Sequence, residues 1–218
     1  MFSDKLKVIK SDIAEAQALS PFRGDVTIVG VTKNQPTEAA NEIIKNGITV
    51  IAENRVQAMK EKYDCLLPSK KHLIGHLQTN KVKAALELFD LIQSVDSERL
   101  LLDIDKEAKK KGITAEIFFQ VNIAREEIKF GMFKEDLPKM LQTASGMENI
   151  KVSGLMAIMP IDTKDDYYKN MYDLFAESQN KNGGNIDLKF LSMGMSGDFR
   201  TAVKYGSNMV RLGRCLFD

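Results

Sequence analysis

Cysteine, proline and net charge are all scarce in this chain. Its 218 residues hold two cysteines, five prolines and a formal net charge of +1, from 31 Lys plus Arg against 30 Asp plus Glu. So even a balance provides no general field for a phosphate backbone, which argues against a nucleic-acid partner. Cys65 and Cys215 stand 150 positions apart, outside any CxxC or Cys/His cluster. They form no metal template and read as reduced thiols. No apolar run approaches the roughly 20 residues of a membrane span. The opening Met1-Phe2-Ser3-Asp4-Lys5 begins an amphipathic segment where a signal peptide would need an apolar core. A cytoplasmic protein away from membranes is expected. With 44% apolar and 28% charged residues and no low-complexity tract, the composition is that of a globular protein.

What is present is a repeated strand-then-helix rhythm. Leu6, Ile9, Ile13, Ala16 and Leu19 mark a helix over 4–19, with Ser3 as cap and Pro21 beyond it. Residues 26–32 are apolar on both faces, the pattern of a parallel strand covered on each side. Thr37 is expected to cap a helix to about 46, which Gly47 ends. Further strands are predicted at 48–52, 71–75, 89–93, 115–121, 151–156, 188–192 and 208–212. The helices between them fall near 55–63, 79–87, 97–111, 134–145, 165–181 and 198–205. Eight strands alternating with helices in about 200 residues suit a single (β/α)₈ TIM barrel spanning 1–218. An open Rossmann-like sheet is the rival, but no GxGxxG follows the first strand. The last strand lies too near Asp218 for a following helix, so the N-terminal helix is expected to cover that gap.

Barrel chemistry sits at the C-terminal ends of the strands. Lys33 follows the first strand in phase with Val29 and Val31, facing the interior. Partial burial there would lower its ammonium pKa and make it an amine for a Schiff base, although a lysine reaching into solvent is the plainer alternative. Asn54 is in phase with Val50 and Ala52 and points inward, or else caps the next helix. His72 and His76, the two histidines, lie about 13 Å apart on a strand. That spacing fits structural or cofactor-adjacent roles better than a metal pair. The seventh strand leads into Ser192-Met-Gly-Met-Ser196-Gly-Asp198 and the eighth ends in Arg211-Leu-Gly213-Arg214, and the loops after these strands are where barrels build phosphate sites. Their glycines could instead merely permit tight turns. An aldehyde-accepting lysine opposite a phosphate cradle suits pyridoxal 5′-phosphate.

Val31-Thr-Lys33, Glu53-Asn54-Arg-Val-Gln57, His72-Leu-Ile-Gly75, Leu77-Gln78-Thr-Asn80-Lys81, Gly154-Leu-Met156, Gly194-Met-Ser196-Gly-Asp198 and Val210-Arg211-Leu-Gly213 run in order along the chain. In these the chain resembles the pyridoxal phosphate homeostasis protein family. The resemblance implies a barrel like the N-terminal domain of alanine racemase, holding pyridoxal phosphate as an internal aldimine on Lys33. It places Asn54 beside the cofactor, Met195 and Ser196 on the phosphate with the Gly213 N–H, and Arg211 against the pyridine nitrogen. It also implies a cofactor carrier without an established reaction, a monomer that supplies pyridoxal-phosphate-dependent apoenzymes. Alternatives are a racemase-like enzyme and a docking barrel that uses no cofactor. Ala58, Ala124, Arg214 and the final Phe217-Asp218 depart from the family pattern, Arg214 with most consequence because it replaces a hydroxyl residue beside the phosphate.

Overall fold

The computed structural model describes residues 2–160 and 165–218, so Met1 of the opening segment lies outside the described residues. Eight strands form the centre: β1 (Thr27–Val31), β2 (Val50–Glu53), β3 (Lys70–Leu73), β4 (Leu91–Val95), β5 (Ala115–Val121), β6 (Ile150–Ala157), β7 (Ile186–Ser192) and β8 (Met209–Leu212). Each pairs in parallel with the next, and β8 returns to β1, closing the barrel. Parallel neighbours require a crossover, and helices supply it. Helix α1 (Phe2–Gln17) precedes β1, the crossovers run through α2 (Thr37–Lys45), α3 (Val56–Lys62), α4 (Val82–Leu88), α5 (Glu98–Lys111), α6 (Leu137–Ser145), α7 (Asp165–Ser178) and α8 (Phe199–Lys204), and α9 (Arg214–Phe217) follows β8.

Alternation along the strands divides the apolar residues into two cores. Val29, Ala52, Leu91, Phe118, Met156 and Met209 fill the barrel, while the larger core lies between strands and helices. Local chemistry sets several boundaries where the sequence places them. Ser97 Oγ accepts the Leu100 N–H at the start of α5, and Gly112, at φ +65°, ends that helix in the left-handed region.

Other expectations need correction. Pro36, not Thr37, is the residue before α2, and no side chain caps that helix. Proline tolerates the position because the first helical N–H groups need no intrahelical carbonyl. Strand β4 begins at Leu91, because Phe89 closes α4 and the Asp90 N–H donates to Lys71 O. A short helix does follow the eighth strand: α9 is one turn, and α1 packs against both α8 and α9. Among the described residues, no helix is long and apolar enough to cross a membrane.

Candidate functional site

A cavity of about 670 Å³ opens at the C-terminal ends of the strands. Lys33, Asn54, Met195, Ser196, Arg211, Gly213 and His76 all line it, whereas His72 does not. A second cavity, of about 720 Å³, lies between α1 and the start of α8 and shares Ser196, Gly197 and Asp198 with the first.

On one side, β1 gives way to a turn closed by the Gln35 N–H donating to Thr32 O at 3.1 Å. Lys33 occupies this turn, and Asn34 beside it has φ +61°. Lys33 is exposed, which corrects the expected partial burial: the strand stops at Val31 and the turn lifts the side chain to the mouth. Asn54 lines the cavity from the neighbouring connection, and α3 begins without a side-chain capping bond. Gly75 permits this arrangement, since a Cβ there would stand 2.1 Å from Asn54 O.

The opposite wall is built from β7 and β8. Arg211 is buried, and its guanidinium donates to Ser192 O at 2.8 Å, Ser192 Oγ at 2.7 Å and Ala157 O at 2.8 Å. The chain of bonds continues across the barrel. Ser192 Oγ donates to Gln93 Oε1 at 2.7 Å, and Gln93 Nε2 donates to His72 Nδ1 at 2.9 Å. Burial lowers the Arg211 pKa to about 10, with Asp198 acting the other way, so the group stays charged at neutral pH. His72 is lowered to about 4, chiefly by burial, with Asp90 opposing and Lys70 assisting. Its neutral ring suits an Nδ1 that accepts.

Between these walls is a seat for an oxygen. The N–H groups of Gly213 and Cys215 both donate to Ser196 Oγ, each at 3.2 Å. Gly194, at φ +93°, turns the loop that carries Ser196, and a Cβ there would meet Ala202 Cβ at 2.5 Å. The Met195 N–H is engaged elsewhere, donating to Asp198 Oδ1 at 2.6 Å, while the Tyr168 hydroxyl donates to Asp198 Oδ2 at 2.7 Å. Burial and that carboxylate hold the Tyr168 pKa above its ordinary value. Arg214 is exposed on the rim of the same cavity.

The connection after β5 overhangs the mouth. Asn122 organises it by donating to Glu126 O and Lys129 O and accepting the Glu126 N–H. Lys129 reaches Met159 O at 3.1 Å, and Phe130 stacks on His76 with ring centroids 3.9 Å apart. His76 is thus a cavity-lining residue, 3.6 Å from the Asp96 carboxylate. The Cys215 N–H, Asp198 and the Ser192–Gln93–His72 chain were not legible as partners in the sequence. Only the position of the anion loop pointed towards the first of them. Among the described residues, no group of three or more His, Cys, Asp and Glu side chains is placed to hold a metal ion.

Comparison with known proteins gives consistent likenesses. The family described as alanine racemase, N-terminal domain, matches residues 6–218. The pyridoxal phosphate homeostasis protein of Aquifex aeolicus strain VF5 is 38% identical over 196 residues, covering 87% of this chain and 85% of that protein. Among solved structures, PipY of Synechococcus elongatus PCC7942 with PLP bound superposes with a TM-score of 0.83 at 30% identity, covering 100% of both chains. Its form without PLP gives 0.87, also at 30% identity and 100% coverage of both.

Proposed function

This chain belongs to the pyridoxal phosphate homeostasis protein family, within the alanine racemase N-terminal-domain fold, and from that premise we propose that it holds pyridoxal 5′-phosphate on Lys33. The observation that carries this reading is the gathering of amine, oxygen seat and buried guanidinium around one cavity. Pyridoxal phosphate, when bound, supplies an aldehyde carbon that an amine attacks reversibly, and a dianionic phosphate. The residues present fit both groups. Lys33 presents a primary amine at the mouth. Two backbone N–H groups converge on Ser196 Oγ, so the same donors and the hydroxyl suit a phosphate oxygen. Asn54 and His76 flank the space between.

Arg211 bears on the choice between carrier and enzyme without deciding it alone. A guanidinium only donates, so it keeps a facing ring nitrogen as an acceptor without a proton. That weakens the electron sink on which most pyridoxal chemistry depends, and supports a carrier over an enzyme. Exposure of Lys33 suits reversible loading and delivery to pyridoxal-phosphate-dependent apoenzymes. Cys65 and Cys215 are free thiols, in keeping with the cytoplasm.

The test is addition of pyridoxal phosphate to the purified protein, followed by visible absorbance, borohydride reduction and peptide mapping. A pyridoxyl group on Lys33, lost in Lys33→Ala, is expected. A folded protein with unmodified Lys33 overturns the reading, and rapid amino-acid turnover would overturn the carrier role.

A further inference from the structure

Behind the turn that carries Lys33, on the outer side of the barrel, lies a second lysine with a buried carboxylate. Lys62, at the end of α3, and Glu53, at the end of β2, are both buried and form an ion pair at 2.7 Å. The three donors of the Lys62 ammonium have three acceptors. They are Glu53 Oε1, Thr32 O at 3.1 Å and Gln35 O at 3.0 Å. Thr32 Oγ1 also donates to Glu53 Oε1, at 2.8 Å. Thr32 and Gln35 are the two ends of the turn, and Lys33 and Asn34 are its tip.

This ion pair is poorly explained as a source of stability. Glu53 Oε2 is buried without a hydrogen-bond partner, and a buried ion pair is often replaceable by apolar residues at no loss. What such a replacement would not supply is a donor to the two carbonyls. Without it, the turn would keep the Gln35 N–H bond to Thr32 O and the Thr32 N–H bond to Ala52 O at 3.0 Å, but the Gln35 carbonyl and the left-handed Asn34 would have no tie to the helix behind them, and a non-glycine residue at positive φ is strained.

We propose that Lys62 and Glu53 are positioning residues for Lys33: the ion pair clamps both ends of the Thr32–Gln35 turn and so aims the exposed amine across the cavity. The proposal rests on Lys33 being the attachment point. Neither Lys62 nor Glu53 lines the cavity.

The test compares two variants. Glu53→Gln/Lys62→Met removes both charges, keeps an acceptor for Thr32 and fills the volume, but leaves the two carbonyls without their donor. Met59→Ala, a fully buried residue of α3, weakens the packing of the same helix without touching the turn. In the double variant, hydrogen exchange at the Gln35 amide should rise, and half-saturation of Lys33 by pyridoxal phosphate should move to higher concentration, each about tenfold. Met59→Ala should leave both within about twofold while lowering the unfolding temperature. Wild-type exchange and loading in the double variant overturn the proposal, as does Met59→Ala reproducing both effects. If the double variant does not fold, Thr32→Val, which removes the hydroxyl bonds to Glu53 Oε1 and Ala52 O, must shift both readouts in the same direction, and no shift overturns the proposal. The exchange measurement needs no cofactor, so unmodified Lys33 in the wild type would sink the proposed function while leaving the clamp itself separately readable.

Discussion

Lys33 stands exposed on a turn beyond β1, whereas Arg211 is buried within β8 and spends its donors on Ser192 and Ala157. Both are cations facing one cavity, but the fold holds them by different means. The amine is free at its tip, and the backbone beneath it is held from behind by Lys62. The guanidinium is held at its functional end, through a run of side chains that reaches His72 on the far side of the barrel. Under the proposed function, a group that forms and releases a covalent bond needs reach, while one that faces a ring nitrogen needs a fixed donor direction. Substitutions on the two sides should therefore differ in kind.

Arg211→Met should cost the most, about 3 kcal/mol of stability, because the carbonyls of Ser192 and Ala157 lose their buried donor. Urea unfolding measures it, and a loss no larger than that of a surface substitution would break the comparison. Acid should come next, again on the Arg211 side. His72 is held neutral, so the unfolded chain takes its proton first: stability is whole above pH 6.5 and declines as pH falls towards 4. That histidine should account for about 2 kcal/mol of loss by pH 5, on the order of its shift. The measure is the difference between wild type and His72→Gln in unfolding free energy across this range. Equal pH dependence in the two would contradict a buried neutral His72.

Ser196→Ala should weaken pyridoxal phosphate binding about fivefold, the value of one hydrogen bond, while leaving the affinity for phosphate-free pyridoxal unchanged. Parallel titrations of the two ligands decide it. Equal losses for both would mean that the oxygen seat does not serve phosphate. The smallest effect on folding belongs to Lys33→Ala, within about 0.5 kcal/mol by thermal unfolding, because the side chain is exposed. The same substitution should remove all covalent labelling.

Some of this was legible along the chain. Period-two alternation put Val29 and Val31 on one face and carried Lys33 with them, and the same counting took Asn54 inward. Position at the ends of the seventh and eighth strands identified Ser196, Arg211 and Gly213 as neighbours although 17 positions separate Ser196 from Gly213. Lys33 is exposed although its phase points inward, because parity says which way a side chain points but not where the strand ends. The β1 ladder ends at Val31, paired with Ala52, two residues before the lysine. Phe130 on His76, and Lys62 beneath the turn, left no mark in the sequence, since each joins elements whose spacing along the chain encodes nothing about their approach.

By itself the sequence determined the alternation of strand and helix, hence a barrel, and the identity of the groups at its mouth, because both follow from local periodicity and from which residue follows each apolar run. Only the tertiary structure decided which donors meet which acceptors. Whether Lys62 reaches Thr32 O, whether Gln93 links Ser192 to His72, and whether two N–H groups converge on Ser196 depend on ångström-scale approaches between strands and helices. Hydrogen bonds fall off steeply over such distances, and closing the barrel is what sets them.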